Sequence, residues 1–402
     1  MTTPSGQISA QDIKNEFGEV NGTVPLGSYR VSQTKGELTL AIGDGVPTSG
    51  TISYDNMRNK RLNIVVDYYA DNPNLNRAAN GANTMNARTR YDQQNERVHV
   101  IGGLKSKPSN TAPHRVRIHV HQTLGGAKGG QSVCALRTGN FDAGTSLIVD
   151  VGSNGKIYGG GGDGGEGGND MDAGNPGMDG ASALGIDYDG TTVNVASGGL
   201  IRCGFGGGGG GGGGRQTDKG SDRRAGGGGG GGGQGYPGGA GGDRGRTHVD
   251  GADGTAGDLT EAGEGGGGGN NGNQAYGASG GEGGGQGEAA DAGGASQHGA
   301  GAGGAEGSAI RRDPNVSFSL NNSGSVVGNT GTIEVYGSGG DKRLYIRGSD
   351  FQLAESTLPG GNPSTSLSVL NMTAGRYQPQ QRFAIQTANN TTTSWSSTPL
   401  TQ

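Results

Sequence analysis

Two unbroken runs of glycine constrain the fold of this chain more than any other feature. Residues 206–214 are nine consecutive glycines and residues 226–233 are eight, separated by the polar stretch RQTDKGSDRRA. Fixing the backbone of one residue costs about 1–2 kcal/mol of conformational entropy, and glycine loses the most freedom of all residues. Because glycine has no side chain to bury, ordered runs of this kind must be held together by contacts between backbone groups.

The composition argues against a single hydrophobic core as the main source of stability. The chain of 402 residues contains 93 glycines, and hydrophobic residues make up 29% of it, against about 45–50% in ordinary globular domains. Most of the glycines lie between residues 153 and 310, where glycine-dense pieces alternate with polar inserts. Neither the three-residue repeat of collagen nor the nine-residue calcium-binding repeat of β-helices is sustained there.

Three interpretations of the glycine region compete. Flexible linkers are usually mixtures of glycine and serine, yet the two runs contain no serine. Interaction-prone low-complexity tracts carry repeated arginine or aromatic spacers, which are missing here. Glycine helices of the polyproline-II type have three residues per turn, and their N–H and C=O groups can bond neighbouring helices when no side chain intervenes. We predict a stack of such polyglycine-II helices, in which nine and eight residues span about 28 Å and 25 Å.

The segments that flank the glycine region predict β-strands and a small helical module. Alternating apolar runs such as RVRIHVHQTL indicate an antiparallel sheet or sandwich before the glycine region. Further β-branched runs follow it, with a hairpin around GSGGDK. Near the N-terminus, Ser9 with Asp12 predicts the start of a helix over 10–17, and Ser53 predicts a second helix over 54–59.

The predicted fold class is therefore mainly β with a glycine-rich polyglycine-II helix stack. The four predicted parts are a partly helical N-terminal module (1–60), a β-sheet domain (61–152), the glycine-rich domain (153–310) and a C-terminal β domain (311–402).

Charge, cysteine usage and motifs argue against several classes of function. The net charge is −5 without a basic block, and aromatic residues make up 5% of the chain, so we expect no nucleic-acid partner. Cys134 and Cys203 are predicted to be unpaired thiols. The N-terminus lacks the pattern of a secretory signal, and no apolar stretch is long enough to span a membrane. No catalytic constellation stands out, so we expect no enzymatic activity; an acidic pair of a glycoside hydrolase is the weaker alternative.

The polar inserts between glycine pieces are predicted to be turns at the ends of the stack. Loops on a rigid scaffold vary freely and carry recognition. Their side chains suit a polar surface such as a glycan or the loops of a membrane protein, although simple solvated turns are an alternative for any single insert. The candidate contact residues are Arg215, Lys219, Arg223, Arg224, Asn273 and Tyr276.

The glycine stack with polar tip loops resembles the adhesins that cap the long tail fibres of T-even-type bacteriophages. The N-terminal segments PSGQISAQDI and PTSGTISYDNM are similar to short segments that recur in phage tail and fibre proteins. The resemblance implies a non-enzymatic virion protein of the phage tail, with the tip loops meeting a host receptor, either a glycan or an outer-membrane protein. The extra C-terminal β domain departs from those adhesins, and an architectural baseplate or fibre connector without host contact is therefore the alternative.

The resemblance also implies partners and an assembly. The N-terminal module is expected to attach the protein to other tail or baseplate proteins, and we expect a homo-oligomer, with a trimer as one form. His119 and His121 stand two residues apart on one predicted strand face. In some phage fibre and spike proteins, such strands bind iron with six imidazoles from three chains. Two solvated histidines beside Arg117 are the favoured interpretation, so no cofactor is expected, and iron at this pair is the alternative.

Overall fold

The chain divides into two compact units. The first comprises residues 1–311 and 315–329, and the second comprises residues 312–314 and 330–402. A computed structural model describes residues 3–17, 25–29, 34–35, 38–39, 47, 49–68, 85–93, 98–101, 114–126, 128–218, 221–271, 275–313, 316–330, 332–336, 343–347 and 382–385. The division into four parts is finer than these units and stays a prediction.

Short strands predominate among the regular elements. The helices are α1 (Ala10–Phe17) and α2 (Ala87–Gln93), with 3₁₀ turns at Leu26–Tyr29 and Tyr54–Met57. The strands are β1 (Thr34–Lys35), β2 (Leu38–Thr39), β3 (Asn63–Tyr68), β4 (Met85–Asn86), β5 (Val98–Ile101), β6 (Arg115–Val120), β7 (Thr123–Leu124), β8 (Cys134–Arg137), β9 (Ser146–Val151), β10 (Lys156–Tyr158), β11 (Ser182–Ile186), β12 (Thr191–Val195), β13 (Leu200–Arg202), β14 (Gly214–Asp218), β15 (Ser221–Ala225), β16 (Ile310–Arg312), β17 (Phe318–Asn322), β18 (Ser325–Val327), β19 (Thr332–Tyr336), β20 (Arg343–Arg347) and β21 (Arg382–Ile385). Neither described α-helix is long and apolar enough to cross a membrane.

Three sheets, built mainly from parallel strand pairs, surround the main hydrophobic core. The first sheet has the order β17-β12-β9-β6-β3, with β5 antiparallel at its edge. The second has the order β16-β11-β8-β4, and the third has the order β18-β13-β10-β7. Within the described residues the chain passes through the second, first and third sheets in that order four times, in β4–β7, β8–β10, β11–β13 and β16–β18, with both β5 and β6 in the first sheet. We call this three-sided body the solenoid.

The prediction of an antiparallel sheet or sandwich over 61–152 is wrong. Strands β3, β6 and β9 are parallel neighbours, with Ile64 opposite Val116 and Val116 opposite Leu147. All three side chains are buried in the core that the three sheets share. Alternation with period two shows that one face of a strand is buried, but it contains no information on strand direction. The direction follows from the connection, because β6 reaches β9 only after β7 and β8 have joined other sheets.

The N-terminal module packs on the outer face of the first sheet. Val65 points away from the main core and joins a second cluster with Phe17, Tyr29, Met57 and other apolar side chains. The helix predicted from Ser9 is confirmed as α1, and the Ser9 backbone N–H donates to Asp12 Oδ2 over 2.8 Å. The start predicted at Ser53 is also confirmed, although a 3₁₀ turn follows it in place of an α-helix.

The first glycine run is hydrogen-bonded to its surroundings with a period of three residues. Successive N–H groups donate in rotation to three different segments, so that every third residue meets the same one. Successive C=O groups accept from three further segments in the same rotation. The six neighbours are 172–181, 228–234 and 291–294 on the donor side, and 162–168, 278–284 and 301–307 on the acceptor side.

The second run has the same surroundings. Its donor-side neighbours are 249–255, 162–168 and 278–281, and its acceptor-side neighbours are 263–269, 239–245 and 208–211. A Cβ atom at Gly210 would lie 2.0 Å from the carbonyl oxygen of Glu166, and one at Gly231 would lie 1.8 Å from that of Gly263. Both runs are therefore interior segments surrounded on all sides by backbone. The segment 162–168 is bonded on fewer sides and carries Asp163 and Glu166, three residues apart, on its solvent side.

The second compact unit contains a small sheet. β19 and β20 are antiparallel, with Tyr336 opposite Arg343, and β21 is parallel to β20. The hairpin predicted around GSGGDK is confirmed by this pairing, and the turn itself lies outside the described residues.

Candidate functional site: the tip surface and a histidine cluster

The glycine region has two ends that differ in what they contact. At one end its segments continue the third sheet, where the N–H of Gly159 donates to the carbonyl of Arg202 and the N–H of Tyr236 to that of Gly159. The turn at 258–262 belongs to this end, because the Arg202 guanidinium donates to the carbonyl of Leu259. At the other end the segments reverse direction in turns that are joined to one another. We call this second set of turns the tip surface; its described residues are 169–171, 214–218, 221–225, 246–249, 270–271, 275–276 and 295–298.

A β-hairpin forms the largest part of the tip surface. Strands β14 and β15 pair with Arg215 opposite Arg224. The Arg224 guanidinium forms an ion pair with Asp170 at 3.0 Å. The Arg224 carbonyl accepts a hydrogen bond from the Asn271 amide over 3.2 Å, and the Arg215 N–H donates to the Gln297 side chain over 3.2 Å. Three neighbouring turns therefore fix the base of the hairpin.

Two large, weakly polar side chains are exposed beside the hairpin. Tyr276 and Met171 are each 52% exposed. Their turns flank the end of the same glycine run, since Gly213 lies against the backbone of Asp170 and Gly214 against that of Tyr276. Tyrosine, methionine and arginine are the residue types that protein interfaces favour. The tip surface thus combines exposed side chains of the types found at interfaces with a hairpin base that is bonded to neighbouring turns.

The structure brings most of the predicted contact residues to this one surface. Arg215, Arg223, Arg224 and Tyr276 all lie on it, whereas Lys219 and Asn273 lie outside the described residues. Arg224 is bonded to Asp170 and so supports the surface as well as lining it. Met171 was not predicted from the sequence. Its signal is a lone methionine in the turn NDMD, directly after Asp170, whose φ of 42° marks a tight reversal.

The two histidines form a second cluster, on the outer face of the first sheet. His119 is opposite Asp67 of β3 in the parallel register, and His121 follows the end of β6. The two imidazole rings lie 3.6 Å apart between centroids. One ligand atom from each of Asp67, His119 and His121 lies within 4.8 Å of the other two.

The prediction of two solvated histidines is wrong in one respect, because His119 is only 8% exposed. A third histidine, His99, lies on β5, and β3 lies between that strand and β6, which carries His119.

Burial keeps both imidazoles neutral. Desolvation lowers the pKa of His119 to about 3, helped by the nearby His121 and Arg117. Desolvation also lowers the pKa of His121 to about 4. A neutral imidazole offers a lone pair, which is what a metal ion requires of a histidine ligand.

A row of polar residues runs across the sheet through this cluster. In register with His119 are Asp67 on one side and Asp150 on the other, followed by Asn194 and Asn321. Asp150 pairs with Arg117 at 2.6 Å and accepts a hydrogen bond from Asn194 over 2.7 Å. The two oxygens of Asp150 are thus both bonded.

The fold and the tip surface define a class of protein in which a rigid scaffold presents loops at one end. The chain belongs to the family described as phage tail fibre adhesin Gp38, whose profile matches residues 83–334. The predicted relationship to phage tail fibre adhesins is therefore confirmed, and the protein is one of the virion tail.

Among solved structures, the chain is similar to one from the gp37-gp38 adhesin tip complex of the bacteriophage S16 long tail fibre. The identity is 21%, the match covers 66% of this chain and 81% of that chain, and the TM-score is 0.33. Comparison with the curated proteins gives no match.

Proposed function

We propose that the glycine region is a stack of polyglycine-II helices. The three-residue rotation of hydrogen bonds in both runs supports this proposal, since a polyproline-II-type helix has three residues per turn. Six neighbours around each run correspond to hexagonal packing of parallel rods. The two all-glycine runs are the two interior rods, which is why they tolerate no side chain on any side.

We propose further that this adhesin recognises the surface of the host cell through its tip surface, without catalysis. The observation that carries the proposal is the exposure of Tyr276 and Met171 beside an arginine-containing hairpin. All of these groups lie at the end of the glycine region that does not join the solenoid. A glycan or the polar loops of an outer-membrane protein match this chemistry, because arginine and tyrosine both combine hydrogen-bond donors with flat apolar surfaces.

The second group of partners comprises other proteins of the phage tail. We propose that the N-terminal module attaches the protein to another component of the phage tail, for which the exposed Tyr54 (44%) is the leading contact. A homo-oligomer, with a trimer as one form, stays a prediction. The architectural connector without host contact is the alternative that the following experiment distinguishes.

Binding of the purified, fluorescently labelled chain to host cells tests the proposed recognition. We expect saturable binding by the unmodified chain. The affinity of Tyr276→Ala and of Arg223→Glu should be at least about tenfold weaker, because residues at the centre of an interface contribute most of the binding energy. Glu288→Gln is the matched control, because Glu288 is exposed in a turn at the opposite end of the glycine region.

Three outcomes are informative beyond the expected one. Absence of binding by the folded, unmodified chain would favour the connector. Equal loss of binding in Glu288→Gln would place the contact away from the tip surface. Release of reducing sugar ends from host polysaccharide would contradict the non-catalytic function.

A further inference from the structure

The cluster on the outer face of the solenoid has the composition of a transition-metal site. It contains two imidazoles and one carboxylate, from Asp67, His119 and His121. Zinc is bound in proteins by histidine nitrogen and by aspartate oxygen, and a site with three protein ligands keeps one position for water. Calcium and magnesium prefer sites made entirely of oxygen, so two histidines favour a metal of the zinc class.

The spacing of the three ligands is compatible with one ion. Bonds of about 2.0–2.2 Å in a tetrahedral geometry separate the ligand atoms by about 3.4 Å. The three ligand atoms already lie within 4.8 Å of one another. Rotation of the side chains that moves these atoms closer by about an ångström would bring them to bonding distance of one ion. His119 and Asp67 lie opposite each other on paired strands, so the strand register positions two of the three ligands.

One buried nitrogen atom of the cluster lacks a hydrogen-bond partner among the described residues, and a metal ion would provide a partner for it. His119 is 8% exposed, and its buried Nδ1 atom has no hydrogen-bond partner among the described residues. Buried polar atoms in native proteins nearly always have a partner, and each exception calls for an explanation such as a missing ion. The other carboxylate beside His119, that of Asp150, is already bonded to Arg117 and Asn194. Asp67 is the carboxylate whose ligand atom lies within 4.8 Å of those of both histidines.

We propose that Asp67, His119 and His121 of a single chain bind one divalent ion of the zinc class, with water in the fourth position. The half-buried His121, at the end of β6, provides the entry path for the ion. The ion links β3 to β6 on the face where the N-terminal module also packs, at Val65. Its role is structural, and the site is independent of the tip surface.

Metal titration of the full-length chain tests this proposal. After treatment with EDTA and removal of the chelator, we expect one Zn²⁺ per chain in competition with a chromophoric chelator. Co²⁺ in the same site is expected to show the intense visible absorption of four-coordinate cobalt. Asp67→Asn and His119→Gln should each weaken Zn²⁺ binding by more than about 100-fold, because loss of a ligand exceeds the 10–100-fold effect of losing a residue that only orients one.

His248→Gln is the matched control, since His248 is an exposed histidine on the tip surface; this variant should bind Zn²⁺ like the unmodified chain. If His119→Gln does not fold, as judged by circular dichroism, His121→Gln replaces it because His121 lies at a strand end. The proposal is overturned by absence of stoichiometric binding, by unchanged binding in a folded ligand variant, or by loss of binding in His248→Gln. One ion per three chains would also overturn it, in favour of a site shared between subunits.

Discussion

At the scale of single residues, the glycine region separates positions that exclude a methyl group from positions that accept one. A Cβ atom at Gly210 would meet the carbonyl oxygen of Glu166 at 2.0 Å, whereas a Cβ atom at Gly267 would meet nothing within 4 Å. Both glycines lie in the same hydrogen-bonded region, and neither has a positive φ. The difference between them is therefore one of packing alone.

Gly210→Ala should destabilise the protein, and Gly267→Ala should not. Overpacking costs about 1–3 kcal/mol, and a backbone hydrogen bond lost in the interior adds about 1–3 kcal/mol. In contrast, alanine at an open position lowers the entropy of the unfolded chain and stabilises by about 0.4–1 kcal/mol. Thermal unfolding followed by circular dichroism measures both effects. Equal melting temperatures for the two variants would be incompatible with a close-packed stack.

Cys203 lies where β13 enters the first glycine segment, and it reports on the integrity of that junction. Its side chain is fully buried, and burial, together with the negative charge of Glu306, raises the pKa of the thiol to about 12 from an ordinary value of 9.0. We expect a single-thiol chain carrying Cys134→Ala to resist iodoacetamide at pH 8 until it unfolds, because the thiolate is the reactive form.

The same shift predicts how stability depends on pH. Between about pH 9 and 12 the unfolded chain loses the Cys203 proton and the folded chain keeps it, so the free energy of unfolding falls as the pH rises. This decrease in the free energy of unfolding with rising pH should be absent in Cys203→Ala. Rapid labelling of native Cys203 at pH 8, or identical slopes with and without the thiol, would show that the junction is open to solvent.

At the scale of elements, the outcome of the sequence-based predictions depends on which physical signal each one used. The absence of side chains in the two uninterrupted glycine runs predicted ordered, laterally bonded segments, and the hydrogen bonds between segments agree with this. The three-residue helical repeat was predicted, but no sustained three-residue repeat of glycine is visible along the sequence, because every chain reversal shifts the phase of the repeat. Within single segments it is clear, as at Gly174, Gly177 and Gly180. Strand direction was predicted wrongly, because it is determined by long connections that alternation does not encode.

The N-terminal module should unfold independently of the glycine region. Phe17 is 2% exposed, and its ring lies 5.8 Å from that of Tyr29. Phe17→Ala should remove about 3–5 kcal/mol from the stability of the module. Hydrogen exchange should then accelerate in α1 and stay slow in the two glycine runs. Tyr54→Ala is the control, since Tyr54 is exposed; a similar acceleration in this variant would mean that the loss of any aromatic residue, and not of this contact, loosens the module.

At the scale of the whole molecule, the sequence predicted the class of protein and part of the site. Charged inserts such as Arg223 and Arg224 were assigned to tips because each lies between two glycine pieces, and a stack must reverse there. Asp67 and Met171 were missed, because their roles depend on neighbours distant in sequence: Asp67 meets His119 only through the pairing of β3 with β6. Such contacts are products of topology and have no local signature in the chain.

The central claim, that the tip surface meets the host, is tested most directly by the adsorption rate of phage particles with an altered tip. The hairpin formed by β14 and β15 is replaced by a short turn between Gly213 and Gly226, and in a control phage Glu288 in the opposite turn is changed to glutamine. Incorporation of both proteins into particles is quantified first. We expect the hairpin variant to adsorb at least about tenfold more slowly, with no change in the control. Adsorption of the hairpin variant at the rate of unmodified phage, with full incorporation, would contradict the account.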